Sequence, residues 1–388
     1  MKKICGFALF LQVCLLASSC QVITRNSDLS NSYDSNNNIV KSNSVKKKNI
    51  NVPNDPGFEK QWAFELHNSH SIPKGKGVVI AVVDKFPENN LGTDFSIKNI
   101  HPNSKNVQSG KRLATNKDIE ELPKNNGSLK ENIHGFFITA ILVQTTNNKI
   151  GTASIVPEAQ VMILDVSNDN NAENFNAAKF TAKAIRDAVD NGADIINLSM
   201  AIKISDQDVK YAFDHAFNKN VLVVVAAGND KRANTSYLAK QSDGKIVVES
   251  VNRQGKKSSF SDDGELAAAG GEHEGCIEVN DENTNPLGIV QTLSILDDDD
   301  DDFEDKLISC SGTSMAAPYV AGGAASVIEI LKPAGIQSPL IVEEILKFTA
   351  REKGDNAGIL DARKAVELAN QLVDKKALFL MKKKNLFL

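Results

Sequence analysis

The sequence predicts an α/β fold: a doubly wound, mainly parallel β-sheet flanked by helices. Two observations predict it. The first is a set of short, nearly continuous apolar runs: "VVIAVV" at 78–83, "VMILDV" at 161–166, "IINLS" at 195–199, "VLVVVAA" at 221–227 and "IVVESV" at 246–251. Runs of that length without polar alternation fit strands buried on both faces, as in a parallel sheet. The second is that helical patterns lie between them, and strand alternating with helix builds βαβ units.

Each helix has its own signal. "AENFNAAKFTAKAIRDAVDNG" places Phe175, Phe180, Ile185 and Val189 on spacings that share a face, and it stops at Gly192. "SDQDVKYAFDHAFNKN" offers Ser205 as its N-cap. "GFFITAILVQT" follows His134, and two further helices run through "LIVEEILKFTA" after Ser338-Pro339 and through "DARKAVELANQLV".

The chain has 388 residues, 41% hydrophobic and 24% charged, with a formal net charge of −5. That is globular composition with length enough for a large core. It lacks the basic surplus of a nucleic-acid-binding protein. The N-terminus "MKKICGFALFLQVCLLASSC" opens on Lys2 and Lys3, runs apolar from Ile4 to Leu16 and ends in small residues and Cys20. A positive start, an apolar stretch too short to span a bilayer and a small-residue site make an export signal. Small residues running into a Cys resemble the lipobox of bacterial lipoproteins, which implies lipidation of Cys20 and a membrane anchor in the cell envelope. Ala17 departs from the usual Leu, and plain secretion is the alternative. Residues 21–54, rich in Asn, Ser and Lys, read as a disordered tether. The globular pattern fills 55–373, no apolar run beyond the signal reads as a transmembrane helix, and 374–388 reads as a frayed basic and apolar tail. Cys276 and Cys310 remain after export, where disulfides form; whether they pair depends on their Cα separation.

In doubly wound sheets, functional groups gather beyond the C-terminal ends of the strands. Asp84 ends the first apolar run, Gly228-Asn229 follows the fourth, His134 precedes a helix, and Ser314 opens "SMAAPYVAGGAAS". The small residues around Ser314 read two ways: as close helix packing, or as the frame of a nucleophile at a helix N-terminus, where free N–H groups favour negative charge. A serine needs a base to take its proton, the base needs an acid to fix its tautomer, and the developing oxyanion needs preorganised donors. Asp84, His134, Ser314 and Asn229 supply all four parts.

Here the chain resembles the subtilisin-like serine proteases, the subtilase family (peptidase S8). "GTSMAAPYVAG" at 312–322 matches that family's nucleophile motif, "VVAAGN" at 224–229 its oxyanion-hole segment, "GADIINLS" at 192–199 its cleft strand and "IAVVD" at 80–84 its first catalytic strand. "SSFSDDG", "GILDARKAV" and "NDPGFEKQWAFEL" resemble further recurring segments, so the resemblance spans roughly residues 54 to 370. The chain order Asp, His, Ser is also the family's.

The resemblance implies a serine endopeptidase working through an acyl-enzyme. Ser314 would be the nucleophile, His134 the general base and then acid, Asp84 its orienting partner, and Asn229 an oxyanion donor beside the Ser314 N–H. Ser199, Met200, Ala201, Ala227 and Gly228 would flank the pocket for the substrate side chain. No cofactor is required; the family admits calcium as a structural ion. Protein or peptide would be the substrate.

Several positions depart from the family. Lys85 and Phe86 follow the aspartate where Ser or Thr and Gly are usual. "HGFFITA" has Phe137 and Ala140 in place of a second His and a Gly. "SMAI" at 199–202 lacks the glycines that leave room for a substrate strand, and Ile202 narrows the site, so restricted specificity is expected. The six aspartates of 297–302 read as a solvated loop, with basic-substrate recognition and weak calcium binding as the other readings. Two rivals stand beside the protease. An α/β-hydrolase esterase needs Gly-x-Ser-x-Gly and Ser first in the order, which the chain lacks. A subtilase-like peptide-binding protein with a degraded cleft would explain Lys85, Phe137 and Ile202, but not the persistence of Asp84, His134, Ser314 and Asn229.

Overall fold

The apolar runs become five of the seven strands of a parallel sheet: β1 (Val79–Asp84), β2 (Lys105–Asn106), β3 (Gln160–Asp165), β4 (Ile195–Leu198), β5 (Leu222–Ala226), β6 (Lys245–Val251) and β7 (Leu266–Ala269). In this computed structural model they pair in the order β2-β3-β1-β4-β5-β6-β7, every pairing parallel. The structure describes residues 52–86, 94–113, 133–167, 176–200, 207–231, 243–273, 275–279, 286–296, 303–351 and 357–385, all within one compact unit, Val52–Leu388. Cys20, Phe175, Ala201, Ile202, Ser205 and Asp297 to Asp302 lie outside the described residues.

The continuous apolar runs are explained by two filled faces. Ala81, Val83, Met162, Leu164, Ile196 and Val223 point to one side. There they meet Ala182, Ile185, Ala188, Val209, Ala212 and Phe213, which belong to α3 (Ala177–Asp190) and α4 (Gln207–Asn218). Ile80, Val82, Ile163, Ile195 and Val224 point to the other. That side is covered by α2 (His134–Val143), α5 (Thr313–Leu331), α6 (Pro339–Thr349) and α7 (Ala362–Asn385), with the short α1 (Ala63–Leu66) at its rim. Burying a large aliphatic side chain contributes about 1.5–3 kcal/mol, so this double layer is the main stabilising term.

The helix signals act locally as expected. The Asn176 side chain caps α3 by accepting from the Lys179 N–H, and the helix ends just before Gly192. The helix α7 runs unbroken to Asn385, so residues 374–385 are helical where the sequence reads a frayed tail. The helix α5 is 19 residues long at a mean hydropathy of 1.3. That meets the length and apolarity of a membrane span, contrary to the sequence expectation, but 78% of it is buried inside the protein as the core helix.

A second, antiparallel sheet of β8 (Cys276–Glu278), β9 (Ile289–Leu296) and β10 (Phe303–Cys310) has the order β8-β10-β9. Leu296, the last residue of β9, and Phe303, the first of β10, are cross-strand partners. Cys276 and Cys310 are also cross-strand partners, and a disulfide joins them. It fastens β10 immediately before the turn that leads into α5.

Candidate active site

Asp84 is the last residue of β1, and its side chain is buried. Its carboxylate oxygens lie 2.9 and 3.0 Å from His134 Nδ1. His134 is the first residue of α2, and its ring is part-exposed. Burial alone would lower the His134 pKa, but the charge of Asp84 and the hydrogen bond to it raise it above the ordinary histidine value. Because a carboxylate only accepts, Nδ1 carries the proton, and Nε2 is left as the basic lone pair.

Ser314 sits in the first turn of α5, as its second residue. Gly312 precedes the helix at φ 154, ψ 161, a region essentially restricted to glycine. The alanines that follow, Ala316, Ala317, Ala321 and Ala324, are fully buried. The packing reading of the small residues therefore holds: they bury the helix in the core, with Ser314 in its first turn.

The Ser314 hydroxyl donates to Ser199 O at 2.8 Å, and no hydrogen bond joins it to His134. Catalytic hydrogen bonds are often loose in unliganded sites. The reverse contact also exists: Ser199 Oγ donates to Ser314 O at 2.8 Å and receives from Asn197 Nδ2 at 2.9 Å. This accounts for Pro318. A proline inside a helix leaves the carbonyl four residues earlier without its N–H donor, and here Ser199 supplies it. Asn197 and the Ser199 hydroxyl were missed by sequence reasoning; Asn197, a polar residue inside the run "IINLS", was the available signal.

Asn229 follows β5. Its Oδ1 accepts from Thr313 N and Thr313 Oγ1, both at 3.0 Å, and Thr313 Oγ1 accepts from Gly228 N at 3.1 Å. A backbone N–H only donates, so Oδ1 must face the helix and Nδ2 must face away. Ala227 is buried at the end of β5, and Met200, half-buried beyond β4, lies 3.9 Å by its sulfur from Thr181 Oγ1. Phe137 and Ala140, the departures in α2, are wholly buried in the core.

Among the described residues no three His, Cys, Asp or Glu side chains converge as a metal cluster. Oxygen donors suited to a hard cation do meet near Gly151. Asp94 Oδ2 and Thr292 Oγ1 are buried without a partner, and a Cβ on Gly151 would fall 2.6 and 3.1 Å from them. Asp94 Oδ1 accepts from Asn148 Nδ2 at 2.6 Å. Burial pushes the Asp94 carboxyl up to about 7, with the charge of Asp55 adding and the Asn148 hydrogen bond opposing. An ion there would satisfy Asp94 Oδ2, but that oxygen and Thr292 Oγ1 are only part of the about six to eight that calcium takes.

Comparison with known proteins gives the family. The subtilase family model matches residues 75–366. Thermitase of Thermoactinomyces vulgaris is 28% identical over 276 residues, covering 70% of this chain and 83% of thermitase. The extracellular protease of Xanthomonas campestris is 26% identical, with 82% of this chain and 57% of that protein covered. Among solved structures, a protease from Pseudoalteromonas arctica superposes with a TM-score of 0.62 at 25% identity, over 82% of this chain and 99% of the other. The chain belongs to the subtilase family of serine endopeptidases.

Proposed function

We propose that the chain cleaves peptide bonds with Asp84, His134 and Ser314 as its triad and with Asn229 Nδ2 and the Ser314 N–H as oxyanion donors. The observation that carries this is the Asp84–His134 contact at 2.9 Å, set on the same sheet edge as the first turn of α5. For attack, the Ser314 hydroxyl turns from Ser199 O to His134 Nε2. His134 takes its proton, and the bond from Ser314 Oγ to the substrate carbon forms. The imidazolium, held by Asp84, then protonates the leaving amine. Water, deprotonated by His134, releases the acyl group. Labelling by a fluorophosphonate probe tests this, beside Ser314→Ala and His134→Ala. Label on the wild type that is lost in both variants supports the triad; a folded wild type that takes no label overturns it.

A second reading has one observation in its favour. The Ser314 hydroxyl rests on Ser199 O rather than on the base. A peptide binder with an impaired site would keep that arrangement, and the same labelling separates the two.

The finer features belong to this proposal. Specificity is restricted around the scissile bond, and a peptide-library profile with wide tolerance would refute that. The mature chain begins at a lipidated Cys20, which an unmodified N-terminal amine by mass spectrometry would exclude. The globular peptidase domain begins near residue 55, beyond a polar tether, and limited proteolysis maps that boundary. Calcium at Asp94 raises thermal stability, and equal melting in calcium and in chelator would remove it.

A further inference from the structure

The sequence departs from the family immediately after Asp84, at Lys85 and Phe86, and the structure shows what holds those residues. Asp165 ends β3 as the register partner of Asp84 on β1. It too is buried. Its Oδ1 accepts from Phe86 N at 3.1 Å, Ser167 N at 2.9 Å and Ser167 Oγ at 2.6 Å. Its Oδ2 accepts from Asn106 Nδ2 at 2.9 Å. The Ser167 hydroxyl also lies 3.3 Å from Phe86 O, but its one proton serves the shorter bond to Asp165, so Phe86 is tied to the end of β3 through its N–H.

The turn held in this way is the seat of the histidine. Lys85 N donates at 2.7 Å to Asp84 Oδ1, the oxygen that also faces His134 Nδ1. Lys85 O accepts from Gly135 N at 3.3 Å, in the first turn of α2. The Phe86 ring meets Phe136 edge-on at 5.4 Å, and a Cβ on Gly135 would fall 2.8 Å from that ring. The backbone beside His134 therefore rests directly on residues 85 and 86.

We propose that Asp165 is a positioning residue for catalysis. It fixes the Asp84–Phe86 turn, which sets both the Asp84 carboxylate and the first turn of α2 that carries His134. The inference rests on the triad reading above. Asp165 touches no reacting atom; it acts through the backbone of Phe86. A carboxylate suits the task because its two oxygens accept from four donors. Asparagine would keep one acceptor oxygen but set its NH2 against Asn106 Nδ2. Asn106 is not free to turn, because its Oδ1 accepts from Gln108 N and Ser109 N, both at 2.9 Å.

The test uses the full chain as wild type, Asp165→Asn and Asp165→Ala, with the folded fraction measured for each. Two quantities are read: kcat and KM on a fluorogenic peptide, and the low-field proton resonance of His134 Nδ1–H, assigned by its loss in His134→Ala. A displacement of catalytic groups by a fraction of an ångström to 1 Å predicts kcat lower by about tenfold in Asp165→Asn and about a hundredfold in Asp165→Ala, with KM within about twofold. The resonance broadens in the same order. Wild-type kcat and an unchanged resonance in either folded variant overturn the proposal, as does a rise in KM with kcat intact. If Asp165→Ala does not fold, Asp165→Asn decides. If the wild type hydrolyses no peptide, the triad reading fails, and the resonance alone still shows whether Asp165 orders the Asp84–His134 bond.

Discussion

Two histidines, one beside Asp84 and one beside Tyr319 of the central helix α5, meet opposite fates. His134 stands at the start of α2 with a carboxylate 2.9 Å from Nδ1. His67 lies fully buried in the core, its ring 4.8 Å from that of Tyr319. His67 Nε2 accepts from Ala269 N at 3.0 Å, so this ring too carries its proton on Nδ1. The tautomer is the same in both, but the use of the lone pair differs. At His67 a backbone N–H consumes it. At His134 it is left facing the cleft. The pKa values part accordingly: that of His134 is raised by Asp84 against burial, while that of His67 falls to about 3 through burial, with the Arg351 charge lowering it further. A buried imidazole becomes a base near neutral pH only where a carboxylate backs it and its second nitrogen is spared.

Removing the carboxylate tests this most severely. Asp84→Asn is expected to lower kcat by about 10⁴-fold, the scale on which loss of the orienting acid misplaces the imidazole proton. The pH profile carries a second signature. His134 works as a base only when neutral, so its raised pKa sets the acid limb of kcat/KM above the ordinary 6.5. In Asp84→Asn that limb moves down. A variant that keeps both its rate and its limb would show that Asp84 does not govern His134.

The two histidines also oppose each other in stability. His134 has a raised folded pKa, so its contribution is complete below 6.5 and is lost as pH rises through the folded value. The folded pKa of His67 is depressed, so its contribution is present above 6.5 and is lost as pH falls toward about 3. Within that window each pH unit costs about 1.4 kcal/mol. His67→Gln, which keeps an acceptor for Ala269 N, should flatten the loss of stability between pH 6.5 and 4 in denaturant melts. An unchanged slope would assign acid sensitivity elsewhere, with His70 and His101, both lowered by burial, the next groups to examine. Asp94 has the opposite sign, because a raised carboxyl gains stability as pH falls.

The sheet and the edge that carries the candidate site were legible because both rest on short-range signals. Apolar runs announce doubly buried strands, and Asp84, Asn229 and Ser314 each stand at the end of a run or the start of a helix. The strands β2 and β7 escaped because two residues, or "LAAA", carry too little pattern. The residues that hold the edge together escaped for another reason. Asp165 reads as the polar tail of "VMILDV", and Asn197 reads as an interruption of "IINLS". Their partners, Phe86 and Ser199, are set by strand register and side-chain direction, which no local pattern records. The extension of α7 past residue 373 was missed because its lysines and apolar residues have the composition of a frayed end.

The smallest expected effect belongs to a contact on one side of that comparison only, between the residue after β4 and the first turn of α5. Pro318 strips Ser314 O of its helical donor, and Ser199 Oγ replaces it at 2.8 Å. Ser199→Ala leaves that carbonyl unsatisfied at the cleft floor, and it also leaves Asn197 Nδ2 without its acceptor. An orphaned buried polar group costs about 1–3 kcal/mol, and the thermal midpoint should fall accordingly. The His67 region, one and a half turns along α5, does not share the contact, so the acid transition should keep its slope while the whole stability curve drops. Catalysis should fall about tenfold in kcat, because the first turn of α5 loses the tie that fixes its height against β4. If Pro318→Ala in the same background restores the midpoint by returning the helical N–H to Ser314 O, serine and proline form one device. If it does not, the Ser199 hydroxyl stabilises the edge through Asn197 alone.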